Sequence, residues 1–265
     1  MTAALRSVDL AHGSLAYAQR GEDGPDVVLL HQTPRSWDEY RDALPLLAAA
    51  GRRATAIDTP GFGRSAPLPG APSIAGWAAA ILAGVDAAGI DRFALVGHHT
   101  GGVIAVALTA LAPERVAALV LSSTPFTDAE YRSSPPDESG VDAAEDADGL
   151  RRSRASFYPT DRPDLLDRYV ADALAAGPLR LGGHHAVGAF QMEDAIAAIT
   201  MPTLLIGATD DPYAHPQLAR MAAALPAAEV AEIAGGMVPL PDGWPGEFTA
   251  EVVAFLDRAD PRADA

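Results

Sequence analysis

The chain has 265 residues, with 19 basic and 35 acidic side chains, a formal net charge of −16 and no cysteine. That balance excludes a phosphate-backbone binder, which needs clustered Lys and Arg, and disfavours an anionic membrane surface. Lack of cysteine excludes disulfides, thiolate metal sites and a cysteine nucleophile, and fits a cytoplasmic setting. The hydrophobic content is 49% and the mean hydropathy +0.08, enough for a large core in one α/β unit with an insertion. No run approaches the ~18 apolar residues of a membrane span, and Met1–Arg6 does not read as a signal peptide.

Short apolar runs at Leu15–Ala18, Asp26–Leu30, Arg53–Asp58, Phe93–Val96, Ala117–Leu121, Thr203–Ile206 and Glu229–Ile233 read as strands. Alanine- and leucine-rich stretches such as Ala78–Ala88 and Pro216–Ala224 read as helices between them. Strands alternating with helices predict a mostly parallel sheet covered on both faces. The alternation breaks between about Pro125 and Ile199, where an acidic, proline-containing loop (Asp137, Glu138, Asp142, Glu145, Asp146, Asp148) precedes helical pieces such as Pro163–Ala175. The expected division is a core of residues 1–124 and 200–258, a helical lid of 125–199 and a frayed tail of 259–265.

One stretch carries the chemistry: Gly97-His98-His99-Thr100-Gly101-Gly102, between the strand Phe93–Val96 and an apolar helix that starts at Val103. Strand, sharp turn and helix, with small residues two before and two after the tip, form a nucleophile elbow. The glycines are needed because the tip is strained and strand and helix pack closely. Here the tip is His99. Three further motifs accompany it: His31-Gln32-Thr33-Pro34 followed by Trp37, Asp58-Thr59-Pro60-Gly61-Phe62-Gly63-Arg64-Ser65, and Pro202–Gly207 followed by Asp210-Asp211-Pro212.

With these four motifs the chain resembles the α/β-hydrolase superfamily over nearly its full length. The likeness is greatest to the branch of haloalkane dehalogenases, epoxide hydrolases and carbon–carbon bond hydrolases. The resemblance implies an α/β-hydrolase fold with a helical lid, an oxyanion loop at His31–Pro34, and a triad acid at Asp211 or Asp210. It also marks two departures. The nucleophile position holds His99, and the late turn Ala234–Leu240, where the family carries its general-base histidine, reads Gly236-Met237. A relay of nucleophile, base and orienting carboxylate therefore keeps only its acid at the usual address.

Imidazole titrates near neutrality, so His99 is expected to serve as general base, or less readily as nucleophile, with Asp211 fixing its tautomer. Gln32, through its backbone N–H and side-chain amide, and the Thr100 N–H are expected to stabilise a developing oxyanion. His31, Trp37, Phe126, Tyr158, His185, His215, Met237 and Val238 are the candidate substrate-binding residues, with His31 and His98 open to purely structural roles. No metal or organic cofactor is expected: the histidines lack ligand spacing on one element, and the Gly-x-Gly-x-x-Ala string at Gly61–Ala66 is out of place for a dinucleotide fingerprint.

The expectation is an enzyme, monomeric or homodimeric, acting on an apolar carbonyl-containing or phenolic small molecule, with no nucleic-acid or membrane partner. The reaction is either cofactor-free lyase, cyclase or isomerase chemistry of secondary metabolism, or hydrolysis of an ester, lactone or activated carbon–carbon bond. The alternative is a non-catalytic pseudo-hydrolase that binds a small molecule.

Overall fold

The computed structural model describes residues 3–133, 144 and 146–259. Eight strands form one sheet: β1 (Ala4–Leu10), β2 (Gly13–Arg20), β3 (Asp26–Leu30), β4 (Arg53–Ile57), β5 (Phe93–His98), β6 (Val116–Ser122), β7 (Thr203–Ala208) and β8 (Glu229–Ile233). Their spatial order is β1-β2-β4-β3-β5-β6-β7-β8. β2 pairs antiparallel with β1 and β4, and all later pairings are parallel.

β5 and β7 are buried along their whole length because helices cover both faces, so they read as unbroken apolar runs. Alternate residues still divide between faces. Val28, Leu30 and Leu95 enter one apolar cluster, while Val27, Leu29 and Val96 enter another. β1 was not anticipated. It is an exposed edge strand with Arg6 and Asp9 along it, so it carries neither a buried run nor a clean alternation.

The helices are α1 (Ala43–Ala49), α2 (Ile74–Ala87), α3 (Thr100–Leu111), α4 (Ala129–Ser133), α5 (Ala147–Arg154), α6 (Pro163–Ala176), α7 (Gly182–Ala189), α8 (Met192–Ile196), α9 (Leu218–Ala224), α10 (Leu240–Gly243) and α11 (Pro245–Ala259). α2 and α3 pack in the first cluster, and α1 and α11 in the second. α2 starts four residues before the expected Ala78. The Ser73 side chain accepts the Gly76 N–H at 3.1 Å and caps it. α6 opens with Pro163 at its first turn and stops at Gly177, whose φ of 54° ends the helix.

Between β6 and β7 the described elements are all helical. Leu150, Phe157, Leu165 and Tyr169 of that stretch pack with Val238 in a third apolar cluster. Asp137, Glu138, Asp142 and Glu145 of the acidic loop, and the tail beyond Ala259, lie outside the described residues. No helix among the described residues is long and apolar enough to cross a membrane.

Candidate active site at the elbow

β5 ends at His98 and α3 begins at Thr100, which leaves His99 at the tip with φ 50° and ψ −116°. This conformation is disfavoured for any side chain, and the surroundings hold it. The His99 N–H donates to Ser122 O at 2.9 Å, and the His99 carbonyl accepts the Gly102 N–H at 2.9 Å. A Cβ on Gly97 would lie 2.4 Å from Gly101 O, and one on Gly101 would lie 2.0 Å from Leu30 O. Only glycine allows α3 to descend this closely onto β3 and β5.

His99 Nε2 lies 3.9 Å from Asp211 Oδ2. The other oxygen of Asp211 accepts the N–H groups of Tyr213 at 2.9 Å and Ala214 at 3.0 Å, which fixes the carboxylate in the turn after β7. Among the described residues Oδ2 receives no hydrogen bond. Asp210 is exposed and caps its own turn through Thr209, so Asp211 is the acid that faces the elbow. His99 Nε2 and Asp211 Oδ2 thus face one another across a gap longer than a hydrogen bond.

His98 points the other way and is fully buried. A carbonyl can only accept, so its Nε2–H donates to Val238 O at 2.7 Å, and Nδ1 takes the Ser122 hydroxyl at 3.1 Å. Burial first, then the neighbouring His99, push its pKa down to about 3. His98 is a neutral strut between the elbow and the turn after β8, and its ring meets the His99 ring edge-on at 6.0 Å.

On the loop after β3, the Thr59 N–H donates to His31 Nε2 at 2.9 Å, so Nδ1–H donates to Gln32 O at 2.7 Å. Burial lowers the His31 pKa to about 4. Both ring nitrogens are engaged, and His31 is a structural pin rather than a substrate contact.

The expectation for Gln32 is corrected. Its backbone N–H donates to Glu39 Oε2 at 2.9 Å and its side-chain amide to Glu39 Oε1, so both donors turn away from the elbow. Glu39 is fully buried, and desolvation pushes its pKa up to about 8. Thr100, the first residue of α3, is at the elbow as expected, and its hydroxyl lies 3.0 Å from that of Thr33.

The substrate-binding candidates divide. Met237 and Val238 pack with Tyr158 in the third apolar cluster, between the helical stretch and the turn after β8. Phe126 lies in the first cluster with the Arg220 guanidinium 5.7 Å from its ring centre. Three expectations are corrected. Trp37 packs with the second cluster, donates its N–H to Asp58 at 2.7 Å and carries Arg41 on its ring. His185 faces solvent. His215 Nε2 meets Glu232 Oε1 at 2.6 Å at the partly exposed outer edge of the sheet.

Sequence reasoning missed an ion cluster with a buried centre next to the loop after β3. Arg35, wholly buried, meets Asp172 of α6 at 2.9 Å, Asp242 of α10, and Asp38 at 3.6 Å. Arg168 of α6 meets Asp38 at 2.7 Å, Asp242 at 2.9 Å and Asp42 at 3.1 Å. Burial raises the Asp242 pKa, and the two arginines oppose that rise. No local spacing signals this cluster, because its members lie up to two hundred residues apart.

A cleft of about 790 Å³ opens among Pro25, Arg92, Phe93 and Pro202. It lies at the amino ends of the parallel strands, opposite His99, whereas open α/β sheets bind ligands beyond the carboxyl ends. No three His, Asp or Glu side chains among the described residues converge as metal ligands.

This sheet order, with a tight elbow after its central strand and an acid after β7, agrees with comparison to known proteins. The sequence profile of the alpha/beta hydrolase fold matches residues 25–187. The chain belongs to the alpha/beta hydrolase fold family. Epoxide hydrolase B of Mycobacterium tuberculosis is 38% identical over 107 residues, 40% of this chain and 30% of that protein. Polyketide synthase ThaQ of Burkholderia thailandensis is 32% identical over 288 residues, covering all of this chain and 13% of the synthase. The crystallised epoxide hydrolase from an endophytic Streptomyces superposes with a TM-score of 0.70 at 27% identity, over 97% of this chain and 96% of its own. This α/β-hydrolase chain spans less than a third of the length of those two curated relatives.

Proposed function

We propose that this α/β-hydrolase is an enzyme that uses His99 as a general base, oriented by Asp211. The observation that carries the reading is the 3.9 Å approach of His99 Nε2 to Asp211 Oδ2 at the elbow tip. Nε2 faces the carboxylate, so Nδ1 is the nitrogen that takes the proton. Asp211 stabilises the imidazolium that forms, as the carboxylate of a triad does. The substrate loses a proton from a carbon next to a carbonyl, or from a phenol, and its oxygen becomes anionic. The Thr100 N–H, at the positive end of α3, faces that charge. Return of the proton from Nδ1 to another atom completes an isomerisation or cyclisation, and loss of a leaving group makes the same step a lyase reaction. In a hydrolytic variant, His99 takes the proton from a water that attacks an ester or lactone.

The substrate class is an apolar carbonyl-containing or phenolic molecule of secondary metabolism. Full-length similarity to a segment of a polyketide synthase supports this class, as does the apolar set Met237, Val238 and Tyr158 beside the elbow turn. The helices between β6 and β7 act as the lid.

The test is turnover by wild type and His99→Ala on nitrophenyl esters, aryl lactones and β-ketoacyl thioesters. Loss of roughly 10²–10⁴-fold in His99→Ala, with substrate binding retained, supports the base. Equal rates in the two proteins overturn it. Ligand binding without turnover in either protein favours the pseudo-hydrolase.

A further inference from the structure

Thr33 and Thr100 come from opposite sides of the elbow, one from the loop after β3 and the other from the first turn of α3. Both are buried, and their hydroxyl oxygens are 3.0 Å apart. Each hydroxyl carries one donor hydrogen, and the bond between them uses one of the two. The second remains for a third partner. Packing decides which hydroxyl that is. A Cβ on Gly183, in the first turn of α7, would lie 1.7 Å from Thr33 Oγ1, so the helix backbone walls in the Thr33 side chain. Thr100 follows His99 directly and opens α3.

We propose that Thr33 donates its hydroxyl hydrogen to Thr100, and that Thr100 donates its own to the substrate oxygen that becomes anionic. Thr100 then supplies two donors to one oxygen, its N–H and its O–H, and Thr33 is the positioning residue that polarises the second. A donor that is itself hydrogen-bonded donates more strongly, and a buried site sharpens the effect. The pair replaces the Gln32 donors that Glu39 holds, and it selects substrates able to place an enolate or phenolate oxygen at the mouth of α3. The assignment rests on the anionic-oxygen chemistry proposed above, yet its test does not require turnover.

The probe is p-nitrophenol, whose bound phenolate is read by absorbance during a pH titration of the intact chain. Wild type is expected to bind the phenolate in preference to the phenol and to lower the apparent pKa of the bound probe. Thr100→Val keeps the side-chain shape and loses the hydroxyl. It should weaken phenolate binding roughly 10- to 100-fold, the size of one hydrogen bond to a charged group. Thr33→Val should lose less. The double variant should match Thr100→Val, because the two hydroxyls act as one unit. Thr100→Ser should restore the wild-type preference, which separates a lost donor from a packing fault, and far-UV circular dichroism confirms that each variant is folded. The proposal is overturned if wild type binds no phenolate, if Thr100→Val binds it as wild type does, or if Thr33→Val costs more than Thr100→Val. His99→Ala separates the two ideas. Phenolate preference retained in His99→Ala supports the hydroxyl pair whatever that variant does to turnover, and preference lost only in His99→Ala assigns the effect to the imidazole and overturns the pair.

Discussion

Around Arg35, two arginines meet four carboxylates, and most guanidinium edges have an acidic partner. At the elbow, one imidazole faces one carboxylate across 3.9 Å, and the near oxygen of that carboxylate has no hydrogen bond among the described residues. Both regions lie near the loop after β3, and each has a buried centre, Arg35 with Asp242 in one and Asp211 in the other. The first joins α6 and α10 to the loop after β3, where a buried charge is tolerated only when it is fully paired. The second holds its groups in place through Tyr213, Ala214 and Ser122 and leaves their reactive edges toward one another. The cluster spreads its charge over several ion pairs, whereas at the elbow a single carboxylate oxygen faces a single imidazole nitrogen.

The contrast breaks most sharply at Arg35. Arg35→Met removes the only guanidinium among the described residues that meets Asp172 and leaves Asp242 with Arg168 alone, and breaking a buried pair costs about 3–5 kcal/mol. In a chain of this size the thermal midpoint should fall by on the order of 10 °C, read by differential scanning calorimetry. An unchanged midpoint would show that the cluster adds nothing to the joint. At the elbow the same kind of charge removal should have the opposite signature. Asp211→Asn should cut turnover by up to about 10⁴-fold, as expected for losing the carboxylate that orients a base, with the thermal midpoint held or raised because only Oδ1 is bonded to backbone.

Glu39 sharpens the comparison through pH. Its folded pKa, pushed up to about 8 by burial, exceeds the ordinary 4.5, so the folded state binds more protons than the unfolded state between these values. Stability must then fall as pH rises through that window. His31 and His98, at about 4 and about 3, act oppositely but only below their ordinary 6.5. Between about pH 7 and 8 Glu39 should contribute about 1 kcal/mol of the decline, and Asp242, also raised by burial, acts in the same direction. Denaturant midpoints should slope downward there in wild type and less steeply in Glu39→Gln.

His99→Gly removes the strained side chain and should stabilise the fold by about 1 kcal/mol while ending turnover. A loss of stability instead would mean that contacts of the ring outweigh the strain of the tip. The smallest effect belongs to His215. His215→Ala removes an outer-edge pair and should change stability by less than about 0.5 kcal/mol, with turnover within twofold of wild type.

Much of this protein was legible in its sequence because the signals are local. Runs such as Asp26–Leu30 and Glu229–Ile233 became strands with the expected bounds, since period and flanking residues lie within a few positions. Gly97 and Gly101 announced a close approach of helix and strand, and the geometry demands glycine there. The exposed strand β1 was not legible, because an edge that faces water has no burial pattern to display.

By itself the sequence determined the alternation of strands and helices from β2 onward, the histidine at the elbow tip and the methionine at position 237. Only the tertiary structure decided which groups those residues meet. It turned Gln32 toward Glu39, brought Thr33 to Thr100, chose Asp211 over Asp210, and gathered Arg35, Arg168, Asp172 and Asp242 from distant parts of the chain. The reason is physical: backbone periodicity and turn chemistry act over a few residues, whereas hydrogen bonds and charge pairs form between whichever groups the packed sheet brings within about 3 Å.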